Sequence, residues 1–184
     1  MQDIKLSPHF ELREFTESAT ASKHGIANEP PAEAVENLKA LCIHTLEPLR
    51  EALGLPVIIT SGFRCKALND RITHHSQRSQ HMKGCAADFV VGNSSVSVTV
   101  HQHLEHETGA SPMKHETSSH RELLIKAFRT ILIDPTVDYD QLILYPSFIH
   151  VSFVAREKNR HNIMLANGQG KYDRLTRAEA LSLN

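Results

Sequence analysis

The chain has 184 residues, 40% hydrophobic and 22% charged, with 20 basic against 21 acidic side chains. That size and apolar content suit a single globular domain over residues 1–184 with a substantial core. The balanced charge excludes the basic footprint of a nucleic-acid binder, and no apolar run approaches the roughly eighteen residues of a membrane span. The opening MQDIKLSPHF lacks the basic-then-apolar pattern of a signal peptide, so nothing in it directs export. Cys42, Cys65 and Cys85 are odd in number and form no CxxC pair, which argues against a disulfide framework. Thirteen histidines against no tryptophan stand out, because imidazole is the commonest metal ligand.

Residues 1–32 read as an irregular lead-in, with a short helix over LREFTES (12–18). Over 33–53, Val35, Leu38, Cys42, Leu46, Leu49 and Leu53 recur every three or four residues, the stripe of a helix with one buried face. Pro30-Pro31 suits its start and Gly54 its end, and Pro48 should kink or split the last turn. Pro56–Thr60 reads as a buried strand running into Ser61-Gly62-Phe63-Arg64, and 65–80 as loop. Ala86–Val91, entered through Gly84, is a second strand. The stretch from about 92 to 119, with His101, His103, His106 and His115, reads as a long His-rich surface insertion, disordered in part. Ser119-His-Arg-Glu122 has the form of a capping box opening a helix to about Ile133, where Asp134-Pro135 stops it. Strands follow over 140–144 and 148–154 around a Tyr145-Pro146-Ser147 turn. In the second, Phe148, His150 and Ser152 share one face and Ile149, Val151 and Phe153 the other. Thr176 to Glu179 is a second capping box, opening a terminal helix. The order of elements predicts an α+β fold: a mostly antiparallel sheet with helices packed on one side.

One constellation carries chemistry. In Ser79-Gln-His81-Met-Lys-Gly84-Cys-Ala-Ala-Asp88, the glycine turn lets a loop histidine and a strand aspartate converge. His150 points away from its core-directed neighbours, so it is free to join them. Two imidazoles and one carboxylate make a three-ligand zinc site with one position open, the arrangement of a catalytic zinc. Such an ion lowers the pKa of bound water from about 16 to about 7 and polarises a carbonyl. Spacing alone also allows the blander reading, with His81 a surface residue and Asp88 a strand cap.

The segments SGFR (61–64), Asn69, SQHMKGCAADF (79–89), YDQLI (139–143) and FIHVSF (148–153) resemble the zinc D-alanyl-D-alanine carboxypeptidases, whose fold is shared with the Hedgehog signalling domain. LSPHFELREFTES, Asn28-Glu-Pro and Asn159-Arg160 are similar to that family too, so the likeness spans most of the chain except 92–119. The resemblance implies Zn2+ on His81, Asp88 and His150, with Arg64 holding substrate in the cleft. A guanidinium fork suits a peptide's terminal carboxylate or a polarised carbonyl, although a structural salt bridge is the alternative for Arg64. Ser79 matches a serine that hydrogen-bonds substrate, or else caps its turn. Gln141 and Asn69 read as framework or cleft lining.

Many members of that family place a glutamate base three residues before the last histidine. Here that position is Ser147. Asp140 is a candidate base if its side chain reaches the cleft, with strand anchoring as the alternative, and Tyr145 is a candidate donor to a developing oxyanion. His74 and His75 could line the cleft or sit in solvated loop, and Cys85 reads as a small buried thiol. The resemblance thus implies a zinc peptidase, carboxypeptidase or endopeptidase, acting on D-Ala-containing peptidoglycan peptides in the bacterial cell wall. The missing glutamate supports an alternative: a catalytically silent wall-binding or protein-binding module of the same fold. A His-rich metal buffer is a third reading, and no GxSxG elbow supports a serine hydrolase.

Overall fold

A computed structural model describes residues 4–72, 76–92, 116–167 and 171–183. The expectations for His74, His75 and the histidines at 101, 103, 106 and 115 lie outside the described residues, as does most of the 92–119 segment.

The lead-in is more ordered than its composition implies. A small hairpin, β1 (Lys5–Ser7) with β2 (Phe10–Glu11), precedes α1 (Leu12–Thr16) and α2 (Ala19–Lys23). Phe10 and Phe15 are fully buried with their rings edge to face, which pins this segment to the core. Asn28 then ties it to the chain that follows. Its side-chain amide donates to the carbonyls of Thr16 and Phe63, and its oxygen accepts from the Cys65 amide.

The long amphipathic segment forms α3 (Ala32–Leu41), a π-helical turn (Cys42–Leu46) and α4 (Glu47–Leu53), ending at Gly54 with φ +62°. The expected break at Pro48 takes the form of that π turn. Proline has no N–H to give the carbonyl four residues earlier, that of His44. The Asp138 amide supplies the missing donor at 2.9 Å, and Thr45 Oγ1 donates to the Asp138 carbonyl at 2.5 Å. The proline defect thereby becomes the docking point for the segment that leads into the site strands.

A six-stranded sheet follows, in the order β3 (Val57–Ser61), β4 (Ala86–Val91), β6 (Ile149–Ser152), β5 (Gln141–Leu144), β7 (Asn162–Ala166) and β8 (Tyr172–Leu175). It is α+β, but the sheet is mixed rather than mostly antiparallel, because β5 and β7 run parallel. The reason is topological. The 153–161 loop leaves β6, passes the start of β5 and begins β7 on its far side. β7 therefore runs against β6 and along β5.

Helix α5 (Lys66–Asn69) falls within 65–80, where loop was expected, and a 3-10 turn (Gln80–Lys83) begins at the end of that stretch and carries His81. Helix α6 runs Glu116–Ile133, so Ser119 lies inside it rather than at its cap, and the insertion is shorter at that end than expected. α7 (Arg177–Ser182) starts as the sequence implies, with Thr176 and Glu179 exchanging capping hydrogen bonds. The core lies between the sheet and α3, α4 and α6. Ala87, Phe89 and Val91 from β4, Ile149 and Val151 from β6, and Leu142 and Leu144 from β5 meet Leu124, Phe128 and Ile131 of α6 there. All three cysteines are free thiols, with Cys42 and Cys85 buried.

Candidate metal centre

Period-two alternation puts the residues between those core positions on the opposite face. In the register, Asp88 of β4 lies directly across from His150 of β6, which in turn lies across from Ile143 of β5. Two residues 62 positions apart therefore become cross-strand neighbours, and their side chains project from the same face.

His81 arrives from the 3-10 turn. Gly84 closes that turn with φ +69°, and a Cβ there would fall 2.3 Å from the Ala34 carbonyl oxygen. Both the backbone conformation and the close approach to α3 thus require glycine. Gly62 is confined similarly, since a Cβ on it would lie 2.5 Å from Phe15 Cα. Packed there, its carbonyl accepts a hydrogen bond from His81 Nδ1 at 2.7 Å. That bond places the ring proton on Nδ1 and leaves the Nε2 lone pair directed at the other two residues.

The three ligand atoms converge. His81 Nε2 is 3.2 Å from His150 Nδ1 and 3.3 Å from Asp88 Oδ1, and His150 Nδ1 is 2.7 Å from Asp88 Oδ1. A tetrahedral zinc with bonds of about 2.0–2.2 Å separates its ligand atoms by roughly 3.3–3.6 Å, close to the two distances from His81, while the His150–Asp88 pair sits at hydrogen-bond length and opens by under an ångström to take the ion. The donor set fits a metal ion, and it is the group among the described residues that could hold one.

Protonation agrees. Burial pushes the His81 imidazole below its ordinary pKa, toward the neutral form that a ligand needs. Burial also works to raise the Asp88 carboxyl. The two imidazoles packed against it outweigh that and hold Asp88 well below the usual carboxylate range, so it too is in the form a ligand needs.

Arg64 stands beside this cluster, its guanidinium 3.7 Å from Asp88 Oδ2, and its amide donates to the His81 carbonyl at 3.2 Å. The structural ion pair weighed for Arg64 is thus present, but at a length that leaves the guanidinium under-used. Its Nε is buried with no hydrogen-bond partner among the described residues. Burial lowers its pKa, yet a guanidinium remains charged.

Tyr145, just past β5, has a ring stacked on Phe148 at 4.2 Å and a hydroxyl 3.0 Å from that of Tyr172. Burial raises its pKa, and Tyr172 and the Asp88 charge act in the same direction, so the phenol stays a donor. Ser79 is half-buried at the start of the 3-10 turn and makes no side-chain capping bond there, which removes the cap reading.

Asp140 is placed differently from the expectation of a base. Its carboxylate is 1% exposed and accepts from Arg160 Nε, Nη2 and backbone N at 2.9, 2.5 and 2.9 Å, and from Gln80 Nε2 at 2.9 Å. Burial would raise its pKa, but these bonds bring it down to about 2. So weak a base with its lone pairs engaged anchors structure, the alternative weighed for it. Asn69 is likewise framework: it is fully buried and donates to the Ser76 carbonyl.

Sequence reasoning assigned no role to Gly62, Gln80, Arg160 or Tyr172. The Asn159-Arg160 pair was visible as part of the family likeness, and Gln80 adjoins a proposed ligand. Nothing local marks Tyr172.

The Peptidase M15 family model matches residues 8–121, more than half of the chain. The chain belongs to the Peptidase M15 family. Its members are zinc D-Ala-D-Ala carboxypeptidase-like, which supports hydrolase and metallopeptidase chemistry for this chain. Comparison with curated proteins and with solved structures yields no match. The M15 match includes Arg64, Ser79, His81 and Asp88 but stops before Asp140, Tyr145 and His150. It is the pairing of β4 with β6 that adds His150 to the M15 segment.

Proposed function

We propose that this M15 chain is a zinc-dependent peptidase, carboxypeptidase or endopeptidase, hydrolysing D-Ala-containing peptides of bacterial peptidoglycan in the cell wall. The observation that carries the reading is the convergence of His81 Nε2, Asp88 Oδ1 and His150 Nδ1 at ligand spacing beside an under-used buried guanidinium. These three side chains hold Zn2+. When bound, zinc supplies Lewis acidity, polarising a peptide carbonyl and lowering the pKa of water.

The chain's own groups do the rest. Arg64 receives the terminal carboxylate or the carbonyl of the substrate, its free Nε offering one arm of a fork. Tyr145 donates a hydrogen bond from its hydroxyl to the developing oxyanion, held in place by Phe148 beneath its ring and Tyr172 at its oxygen. Ser79 hydrogen-bonds the substrate backbone at the mouth of the turn. Gly62 keeps the proton of His81 on Nδ1. No helix among the described residues is long and apolar enough to cross a membrane.

A second reading has its own support: a catalytically silent, zinc-containing wall-binding or protein-binding module. Ser147 stands where many relatives carry a glutamate, and Asp140 is committed to Arg160 and Gln80. Turnover decides between them. Zinc-loaded protein incubated with purified peptidoglycan is expected to generate new amine ends, and chelation should abolish them. Binding to the wall with no new amine would establish the silent module instead.

A further inference from the structure

Gln80, Asp140 and Arg160, from three segments far apart in the chain, meet at one buried carboxylate. Asp140 accepts four hydrogen bonds there, three from Arg160 and one from Gln80, and Arg160 Nη2 also approaches Gln80 Oε1 at 3.5 Å. The backbone around Asp140 is bound to the site strands. Its amide donates to the Ser152 carbonyl at 2.6 Å, the Gln141 amide donates to Ser152 Oγ at 3.0 Å, and its carbonyl accepts from Asn162. Ser152 is two residues from His150 on the same face of β6, and Gln80 immediately precedes His81. Asp140 therefore joins the turn that carries one imidazole to the strand that carries the other.

This matters because of how His81 is otherwise held. The Gly62 carbonyl fixes its ring, and the Arg64 and Gly84 amides fix its carbonyl. The turn also reaches β6 through backbone, since the Cys85 amide donates to the Gln80 carbonyl and the Cys85 carbonyl accepts from the Phe153 amide. Apart from the ligand side chains themselves, Gln80 to Asp140 adds a side-chain hydrogen bond that ties the turn to the start of β5.

We infer that Gln80, Asp140 and Arg160 form a clamp that positions His81 against His150, setting the site's metal affinity without touching the metal. The clamp rests on the reading of His81, Asp88 and His150 as ligands. Outer hydrogen-bond partners of metal ligands typically cost about 10–100-fold in affinity when removed. Gln80 acts one step further out, through the backbone, so the low end of that range applies.

The test uses metal-stripped full-length protein, titrated with Zn2+ by calorimetry and with Co2+ by visible absorption. Gln80→Ala and Arg160→Ala are expected each to weaken Zn2+ binding about tenfold. Their combination should weaken it by much less than the product, since both act through one carboxylate. Arg160→Lys should recover part of the loss, and the Co2+ band should change in Gln80→Ala. Gln80 and Arg160 are partly exposed, so both variants are expected to fold. A role in folding alone would lower the apo-protein melting midpoint and leave the Zn2+ dissociation constant within twofold of the parent, which overturns the clamp. If the parent protein binds no stoichiometric Zn2+, the ligand reading falls, and the clamp with it. If the parent binds and both variants bind equally well, only the clamp falls.

Discussion

The two faces of β4 and β6 divide the molecule's work. On one face Ala87, Phe89, Ile149 and Val151 are fully buried in a single apolar cluster with α6. On the other, offset by one residue, Asp88 and His150 meet His81. The core face needs only apolar groups of the right volume, since burial is non-directional. The site face needs particular atoms at particular separations, so it is surrounded by devices the core lacks: the Gly62 carbonyl, the Gly84 turn and the Asp140 carboxylate. Stability and chemistry occupy the same six residues of strand because side chains alternate. A one-residue slip in register would exchange them.

The largest expected effect comes from breaking the site face. Asp88→Ala, His81→Ala or His150→Ala should each abolish stoichiometric zinc, a bigger loss than the roughly 10–100-fold typical of outer partners. Metal content after dialysis measures it, and a variant that retains one equivalent would remove that residue from the ligand set. The matching cut on the core face is Phe89→Ala, which should cost about 3–5 kcal/mol in chemical denaturation. The fraction still folded should bind zinc as tightly as the parent. If Phe89→Ala instead weakened zinc as severely as Asp88→Ala, the two faces would not be separable.

Smaller effects sharpen the division. Tyr145→Phe keeps the stacked ring and removes the donor, so kcat/KM on peptidoglycan peptide should fall by about 10²-fold with zinc content intact. An equal fall from loss of metal would contradict the donor role. The carboxyl of Asp140, with a folded pKa of about 2 against an ordinary value near 3.9, favours the folded state when ionised. Because the folded pKa is the lower one, that stabilisation is complete above about pH 5 and is lost as pH falls through about 2, an amount of about 2–3 kcal/mol. Denaturation profiles of the parent and Asp140→Asn should converge over that window, and parallel profiles would refute it. Ser79→Ala should be the mildest, a few-fold rise in KM from one lost hydrogen bond of about 1 kcal/mol.

How much was legible in the sequence follows the range of the interactions. The stripe through Leu38, Leu46 and Leu49 and the alternation at 149–152 are local patterns, and both correspond to buried faces in the fold. Local elements (a glycine turn, a strand after it, and a strand with a committed core face) allow His81, Asp88 and His150 to converge but do not require it; the likeness of SQHMKGCAADF and FIHVSF to the family is what joins the three. What was missed depends on distant partners. The π turn at Cys42–Leu46 needs the Asp138 amide, 94 positions from His44, to satisfy the carbonyl that Pro48 leaves open. The parallel pairing of β7 is decided by the path of the 153–161 loop, and nothing within Asn162–Ala166 encodes it. Asp140 read as a potential base because its partners, Arg160 at 20 residues and Gln80 at 60, cannot be paired with it by spacing.

The most direct test of the centre is a crystal of the zinc-soaked protein with anomalous diffraction collected across the zinc edge. One peak is expected about 2.0–2.2 Å from His81 Nε2, an Asp88 carboxylate oxygen and His150 Nδ1. A peak bound elsewhere, with these three side chains free of metal, would contradict it.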